Sequence, residues 1–263
     1  MTAPATSLPR RVGDTLYTLI ATPVFCVVMF GFFCPLILIT PGLQLRRALG
    51  RSAVHICLLL IGQPLRRRSM EWLPDTPVVV VANHCSYMDG LILTAVLPGR
   101  FTFVVQDGAA RWPFVGWVLQ RMGVAFINRS SVREGARQTR GLLKRLSAGE
   151  SLAIFAEGTF DSAQPGLLPF KSGAFMLAAR ANVPVVPAVI LNSREHLGGG
   201  WVGFRWRPVT VVVGSPRLPS GSGKLAVDRL KQQSRAWIAA RCGEPDRHLR
   251  DDNADAEPGA LAL

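Results

Sequence analysis

Val78-Val79-Val80-Val81-Ala82-Asn83-His84-Cys85-Ser86-Tyr87-Met88-Asp89 carries an uncharged, β-branched run straight into a polar cluster. Four consecutive valines bounded by polar residues read as a strand buried on both faces. The cluster behind them reads as a helix start. On either side, short apolar runs at 77–82, 101–106, 124–127, 151–155, 184–191 and 209–214 alternate with helical patterns near 87–97, 112–121, 131–147, 171–182 and 224–241. That alternation predicts an α/β fold, a mixed and largely parallel sheet flanked by helices on both faces. In open α/β sheets ligands bind beyond the carboxyl ends of the strands, where His84 falls.

The N-terminal side is different in kind. No charged residue occurs from Thr15 to Leu45. As one helix this stretch would run about 46 Å, more than the roughly 30 Å hydrocarbon core of a bilayer. Pro23, Pro35 and Pro41 argue against a single straight rod, because each removes a backbone donor. A shorter apolar segment, Ala53–Gly62, lies between Arg46-Arg47 and Arg66-Arg67-Arg68. A kinked helix pair, spanning the bilayer or dipping into one leaflet, fits this pattern. Arginines on both sides give no single-span orientation and favour a re-entrant hairpin with both ends on one face. A cleaved signal peptide fits poorly, since the apolar region is too long and no small-residue cleavage site follows.

The expected organisation is a membrane-associated helical segment over residues 1–68, an α/β domain over 69–245 and a disordered tail over 246–263. The net charge of +13 comes from 30 Lys and Arg against 17 Asp and Glu. These arginines flank apolar segments and form no nucleic-acid-binding module, so anionic membrane lipids are the expected partner and nucleic acid is not. The five cysteines, Cys26, Cys34, Cys57, Cys85 and Cys242, have no CxxC spacing, which argues against a disulfide framework and against a metal site.

Three clusters carry chemistry. In the first, His84 can accept a hydroxyl proton if Asp89 holds its other ring nitrogen. Five residues along a helix is about 500° of rotation, so the pairing requires His84 to sit in the loop before the helix. Alternatively Asn83 or Ser86 caps the helix and His84 is incidental; this cluster alone does not decide. Cys85 is a poor nucleophile candidate beside His84, because adjacent residues do not face each other on a helix. The second cluster, Gly123–Arg129, reads as a strand delivering an arginine able to bind phosphate, or as a solvated strand end. The third, Phe155-Ala156-Glu157-Gly158-Thr159, offers a carboxylate and an unhindered backbone at a strand end. The helix starting near Lys171 suits an anionic headgroup or a phosphopantetheine phosphate, although a plain surface lysine fits as well.

In this order, Asn-His-x-Ser-x-x-Asp (83–89), Gly-x-x-Phe-Ile-x-Arg (123–129), Phe-x-Glu-Gly-Thr (155–159) and Val-Pro-Val-Val-Pro (183–187) resemble the glycerophospholipid acyltransferase family, whose best-known members are 1-acylglycerol-3-phosphate acyltransferases. The resemblance covers about residues 70–215. It implies that His84 is the catalytic base and Asp89 its orienting partner. It also implies that Asn83, Ser86, Arg129, Glu157, Gly158, Thr159 and Lys171 form the substrate-binding set. No cofactor and no metal are implied. The donor would be acyl-CoA or an acyl carrier protein thioester, and the acceptor a lysolipid, 1-acylglycerol-3-phosphate first. The location would be the inner (cytoplasmic) membrane, with the catalytic domain facing the cytoplasm. The family typically reads Phe-Pro-Glu-Gly-Thr-Arg, whereas this chain has Ala156 and Phe160. The missing arginine leaves Arg129, Lys171 and Arg180 as phosphate partners, or points to another acceptor such as lyso-ornithine lipid or a lysophospholipid with a larger headgroup. Two rivals of another class are a thioester or lipid hydrolase, against which the absence of a Gly-x-Ser-x-Gly elbow speaks, and a non-catalytic lipid-binding protein.

Overall fold

A computed structural model describes residues 8–128, 132–161, 164–196, 203–221 and 223–247. Among these residues, seven strands form one sheet: β1 (Leu65–Arg68), β2 (Val79–Ala82), β3 (Phe101–Gln106), β4 (Ala125–Ile127), β5 (Ser151–Phe155), β6 (Val185–Leu191) and β7 (Val209–Val213). Their order is β1-β7-β6-β2-β5-β3-β4, and every pairing is parallel except β6 with β7. The mixed, largely parallel sheet expected from the sequence is therefore what forms.

The valine run sits at the centre, and its period of two divides the protein. Val80 and Ala82 pack into one core, while Val79 and Val81 pack into the other. The second core is closed by α6 (Val132–Ser147), α7 (Gly173–Ala181) and α8 (Gly223–Ala239). The first is closed by α4 (Asp89–Val96) and α5 (Val115–Arg121), and also by the N-terminal helices. Those helices thus share a core with the sheet instead of standing apart from it.

The N-terminal part is one helical run with a reversal. α1 (Leu8–Cys26) passes through a π-helical stretch (Val27–Phe33) into α2 (Cys34–Ile39). The chain turns at Thr40–Gly42, where Gly42 at φ +76° takes a backbone conformation that L side chains rarely adopt, and α3 (Leu43–Leu60) folds back. Ala21, Phe25, Met29, Phe33 and Ile37 are all buried. Four residues on an α-helix advance about 400°, so a strict four-residue stripe drifts about 40° per step. The π stretch, with i→i+5 bonding, winds more slowly and keeps that stripe on the body. The opposite side stays apolar and exposed, with Leu19, Ile20, Val27 and Ile39 between 65% and 77% accessible. Among the described residues, Arg10–Ile39 is the one helical stretch long and apolar enough to cross a membrane.

Four features depart from the sequence expectation. The second apolar segment, read as Ala53–Gly62, is the latter half of the longer α3, which starts at Leu43. The sheet begins at Leu65, before the expected boundary at 68/69. β1 is an edge strand whose three arginines are exposed, a composition that discourages edge-to-edge pairing. Arg47 does not face lipid. It is buried and donates to Gly99 O at 3.0 Å, Met122 O at 3.2 Å and Thr102 Oγ1 at 2.7 Å, with Glu150 at 3.3 Å. Of the expected tail, Asp246 and Arg247 belong to the fold, and 248–263 lie outside the described residues.

Candidate active site

β2 ends at Ala82, and the chain leaves the sheet through a turn whose polar groups converge. Asn83, fully buried, extends the sheet by one side-chain rung: its Nδ2 donates to Ile190 O at 3.1 Å and its Oδ1 accepts from Ile190 N at 2.8 Å. Cys85 N and Ser86 N donate to Asp89 Oδ2 at 2.6 and 2.9 Å. Ser86 Oγ accepts from Met88 N at 3.0 Å and donates to His196 O. Asp89 opens α4 and is fully buried, so its carboxylate faces back over the turn. The same Oδ2 meets His84 Nδ1 at 2.9 Å. His84 does sit in the loop before the helix, which is what the spacing requires.

The imidazole is held from its faces as well. It stacks on Phe155 at 4.1 Å and 11°, and it meets Phe160 at 4.6 Å. Phe160 in turn makes an edge contact with Tyr87, which leans on Trp112. With Nδ1 committed to Asp89, Nε2 is the ring nitrogen left for a ligand. His84 lines a cavity of about 1120 Å³ that runs between the body and the N-terminal helices, where Phe25, Met29 and Phe30 form part of its wall. This exceeds the usual small-molecule range of roughly 300–1,000 Å³ and is mostly apolar, as a long aliphatic chain would need. Cys85 is buried, and burial, then the charge of Asp89, pushes its thiol up from the ordinary range, which disfavours a thiolate nucleophile.

The expected substrate-binding set divides. Gly158, Thr159 and Lys171 line the cavity with His84. Gly158 sits at φ +76°, where a side chain would be strained. Lys171 N donates to Ala156 O at 2.8 Å, which brings the first turn of α7 to the cavity, with Gly173 and Ala174 on its wall. Asn83, Ser86 and Glu157 are instead buried and bonded to the protein itself, away from the cavity wall. Glu157 Oε1 accepts from His84 N at 2.7 Å and Oε2 from Leu168 N at 2.7 Å. Burial raises its carboxyl to about 7 against those two N–H bonds, with Asp89 raising it further and Arg235 lowering it. Arg129 lies outside the described residues. Arg180 lies in the last turn of α7, the end away from the cavity, so it is not a partner for a ligand there.

Sequence reasoning missed Phe155, Tyr87 and Trp112 as the walls of the histidine site. It noted Phe160 only as a lost arginine. The Asn83 rung has a direct consequence. Asn83→Ala orphans the N–H and C=O of Ile190 inside the protein, at about 1–3 kcal/mol for each group. We expect a cooperative loss of stability of that size in urea unfolding, whereas a surface-like change below 0.5 kcal/mol would contradict the rung.

Residues 65–191 match the family model described as Acyltransferase. The 1-acyl-sn-glycerol-3-phosphate acyltransferase of Saccharomyces cerevisiae is 31% identical over 145 residues, 54% of this chain and 48% of that protein. The enzyme of the same name from Neisseria gonorrhoeae is 34% identical over 153 residues, 57% of this chain and 56% of that one. A lyso-ornithine lipid O-acyltransferase of Brucella abortus is 33% identical over 179 residues, 64% and 62%. The chain spans about half the length of the curated relatives it matches. The crystal structure of the 1-acyl-sn-glycerophosphate acyltransferase of Thermotoga maritima shares the fold, with a TM-score of 0.68 at 20% identity, over 95% of this chain and all of that one.

Proposed function

We propose that this chain is an acyltransferase of the family whose model residues 65–191 match, and that it transfers a fatty acyl group from a thioester to the free hydroxyl of a lysolipid at a membrane. The observation that carries this reading is His84, with Nδ1 fixed by a buried aspartate, on the wall of a large apolar cavity shared with an apolar N-terminal helix. Nε2 takes the hydroxyl proton as the lipid oxygen attacks the thioester carbonyl. Asp89 stabilises the imidazolium that forms. The tetrahedral oxyanion then collapses, the carbon–sulfur bond breaks, and the leaving thiolate takes the proton from Nε2. Holding both substrates against one wall replaces a bimolecular encounter with an oriented one.

Lys171 and the N–H groups opening α7 suit an anionic headgroup, which favours 1-acylglycerol-3-phosphate as acceptor. The donor is an acyl-CoA or an acyl carrier protein thioester. Leu19, Ile20, Val27 and Ile39, exposed on one side of the N-terminal run, support association with the cytoplasmic membrane and lateral access for a lysolipid. In this reading the catalytic part faces the cytoplasm.

Phe160 supports a second acceptor. An aromatic ring stands against His84 where the resembling family carries a cation, which suits a headgroup without a phosphomonoester, such as that of lyso-ornithine lipid. Phe160→Arg is then expected to raise kcat/KM for lysophosphatidic acid relative to lyso-ornithine lipid by about 3- to 10-fold, the scale of one charge-assisted contact. The deciding assay offers both acceptors to the full chain with one acyl-CoA and one acyl carrier protein donor, and follows lipid product. Thiol release without acylated lipid would mean a hydrolase, and no turnover with any pair would reject the reading.

A further inference from the structure

The segment after α8 is fastened to the loop between β5 and α7. Leu167 N donates to Pro245 O at 2.8 Å, and Arg247 N donates to Leu167 O at 3.2 Å, a parallel bridge centred on Asp246. Ion pairs fix both sides of it. Glu244 meets Arg194 at 2.7 Å, Arg247 meets Asp161 at 2.8 Å, and Asp246 meets Arg235. Arg235 also donates to Leu168 O at 2.7 Å, and Arg194 donates to Asp161 O at 2.8 Å. Gly166, at φ +146°, lies directly beneath: a Cβ there would come within 2.5 Å of the Arg247 side chain and 3.1 Å of Pro245 O.

The fastened loop reaches the site through two bonds. Leu168 N donates to one oxygen of Glu157, and the other oxygen of Glu157 accepts from His84 N. We propose that Cys242–Arg247 is a strap that positions the His84 turn, acting through Leu167–Leu168 and the Glu157 carboxylate. The proposal rests on His84 being the base of the acyl transfer above. It assigns a role in catalysis to residues beyond 191, where the match to the family model ends.

Leu168 N–H is one of two donors that favour the ionised form of Glu157. Glu157 is faced by Asp89 at the start of α4, by Arg235 from α8, by the Cys242 thiol from the strap and by the His84 turn itself. Loosening the strap therefore removes a donor and moves ionisation of Glu157 to higher pH.

The test uses the full chain carrying Glu244→Gln, Asp246→Asn and Arg247→Gln together, with Arg247→Gln alone in case the triple variant does not fold. Asp75→Asn, which breaks the exposed Arg100–Asp75 pair, is the control. Amide hydrogen exchange reads the His84 and Leu168 N–H groups directly. Both are expected to exchange about tenfold faster while amides within α3 stay protected, the pattern of a local opening. In the transfer assay kcat is expected to fall about 3- to 10-fold with KM within about twofold, as misplacement of a catalytic group requires. The acidic limb of the pH profile should move to higher pH, and Arg247→Lys should restore both readings. Unchanged exchange at His84 and Leu168 overturns the strap. So does uniformly faster exchange with an unmoved pH profile, which would make the segment a stabilising element only. If the unsubstituted chain acylates no lysolipid, the proposed function fails, and the exchange readings still decide the strap.

Discussion

His84→Ala is expected to lower acyl transfer about 10²–10⁴-fold, the range of a lost general base, while Asp89→Asn lowers it only about 10–100-fold. The asymmetry comes from how the carboxylate is used. All three of its bonds, from His84 Nδ1, Cys85 N and Ser86 N, fall on Oδ2. Oδ1 is buried and has no hydrogen-bond partner among the described residues. An asparagine can therefore place its carbonyl oxygen where Oδ2 stands and its NH2 where Oδ1 stands. The turn and the His84 tautomer survive, and only the negative charge facing the developing imidazolium is lost. A hydrogen bond to a charged group is worth about 1.5–3 kcal/mol, which bounds the loss near the 10–100-fold figure. Asp89→Ala removes all three bonds and should match His84→Ala. Initial rates of lipid product for the three variants, each checked for folding by thermal unfolding, decide the matter. An Asp89→Asn variant as inactive as His84→Ala would show that the amide presents its NH2 to His84 instead.

Most of the architecture was legible because the central strands are buried on both faces and so appear as uninterrupted apolar runs. β2 and β6 are such runs, and β3 and β5 come close, with Thr102, Gln106 and Ser151 as their polar residues. β1 was not legible for the opposite reason. Leu65-Arg66-Arg67-Arg68 has no apolar alternation, and it becomes a strand through pairing with β7, far along the chain. Arg47 misled in the same way: a basic residue beside an apolar segment reads as a headgroup contact, yet here it caps backbone carbonyls inside the fold. In the site, the His84–Asp89 pair could be read from spacing. The separation of cavity-lining residues from buried ones could not, because Glu157 and Gly158 are neighbours in sequence and differ only in which way they face. The strap was invisible, since the segment has no pattern of its own and Asp246-Arg247 reads as the start of a tail.

The N-terminal run shows the same limit in another form. Its apolar length is enough to cross a membrane, but length says nothing of its two faces. The four-residue stripe from Ala21 to Ile37 closes the sheet's core and part of the cavity wall. The outward side is apolar and exposed. Under the proposed function, a helix that is both core and anchor would tie the cavity to the bilayer and give an acyl chain an apolar path to His84.

Glu157→Gln is expected to cut kcat about 10- to 100-fold, the cost of a base displaced by up to an ångström, and to flatten two pH dependences. Two backbone N–H groups point at the Glu157 carboxylate, so both oxygens must accept, which only the ionised form does fully. Glutamine offers one carbonyl and sets its NH2 against the second N–H. Activity of the unsubstituted protein should therefore rise as pH passes about 7, where Glu157 ionises. Stability runs the other way. Between the ordinary value of 4.5 and about 7 the folded chain keeps a proton that the unfolded chain has released. The unfolded state binds fewer protons there, so stability is full below 4.5, falls as pH rises through about 7, and is flat above it. The span is on the order of 3 kcal/mol. Below pH 7 the protein is more stable and less active, and above it less stable and more active, because ionised Glu157 holds the His84 turn at the expense of a buried charge. Urea unfolding and transfer rates across pH 5–9, with Glu157→Gln beside the unsubstituted chain, measure both slopes. Parallel slopes in the two proteins would assign the titration to another group, and a Glu157→Gln variant with full kcat would remove Glu157 from the positioning of His84.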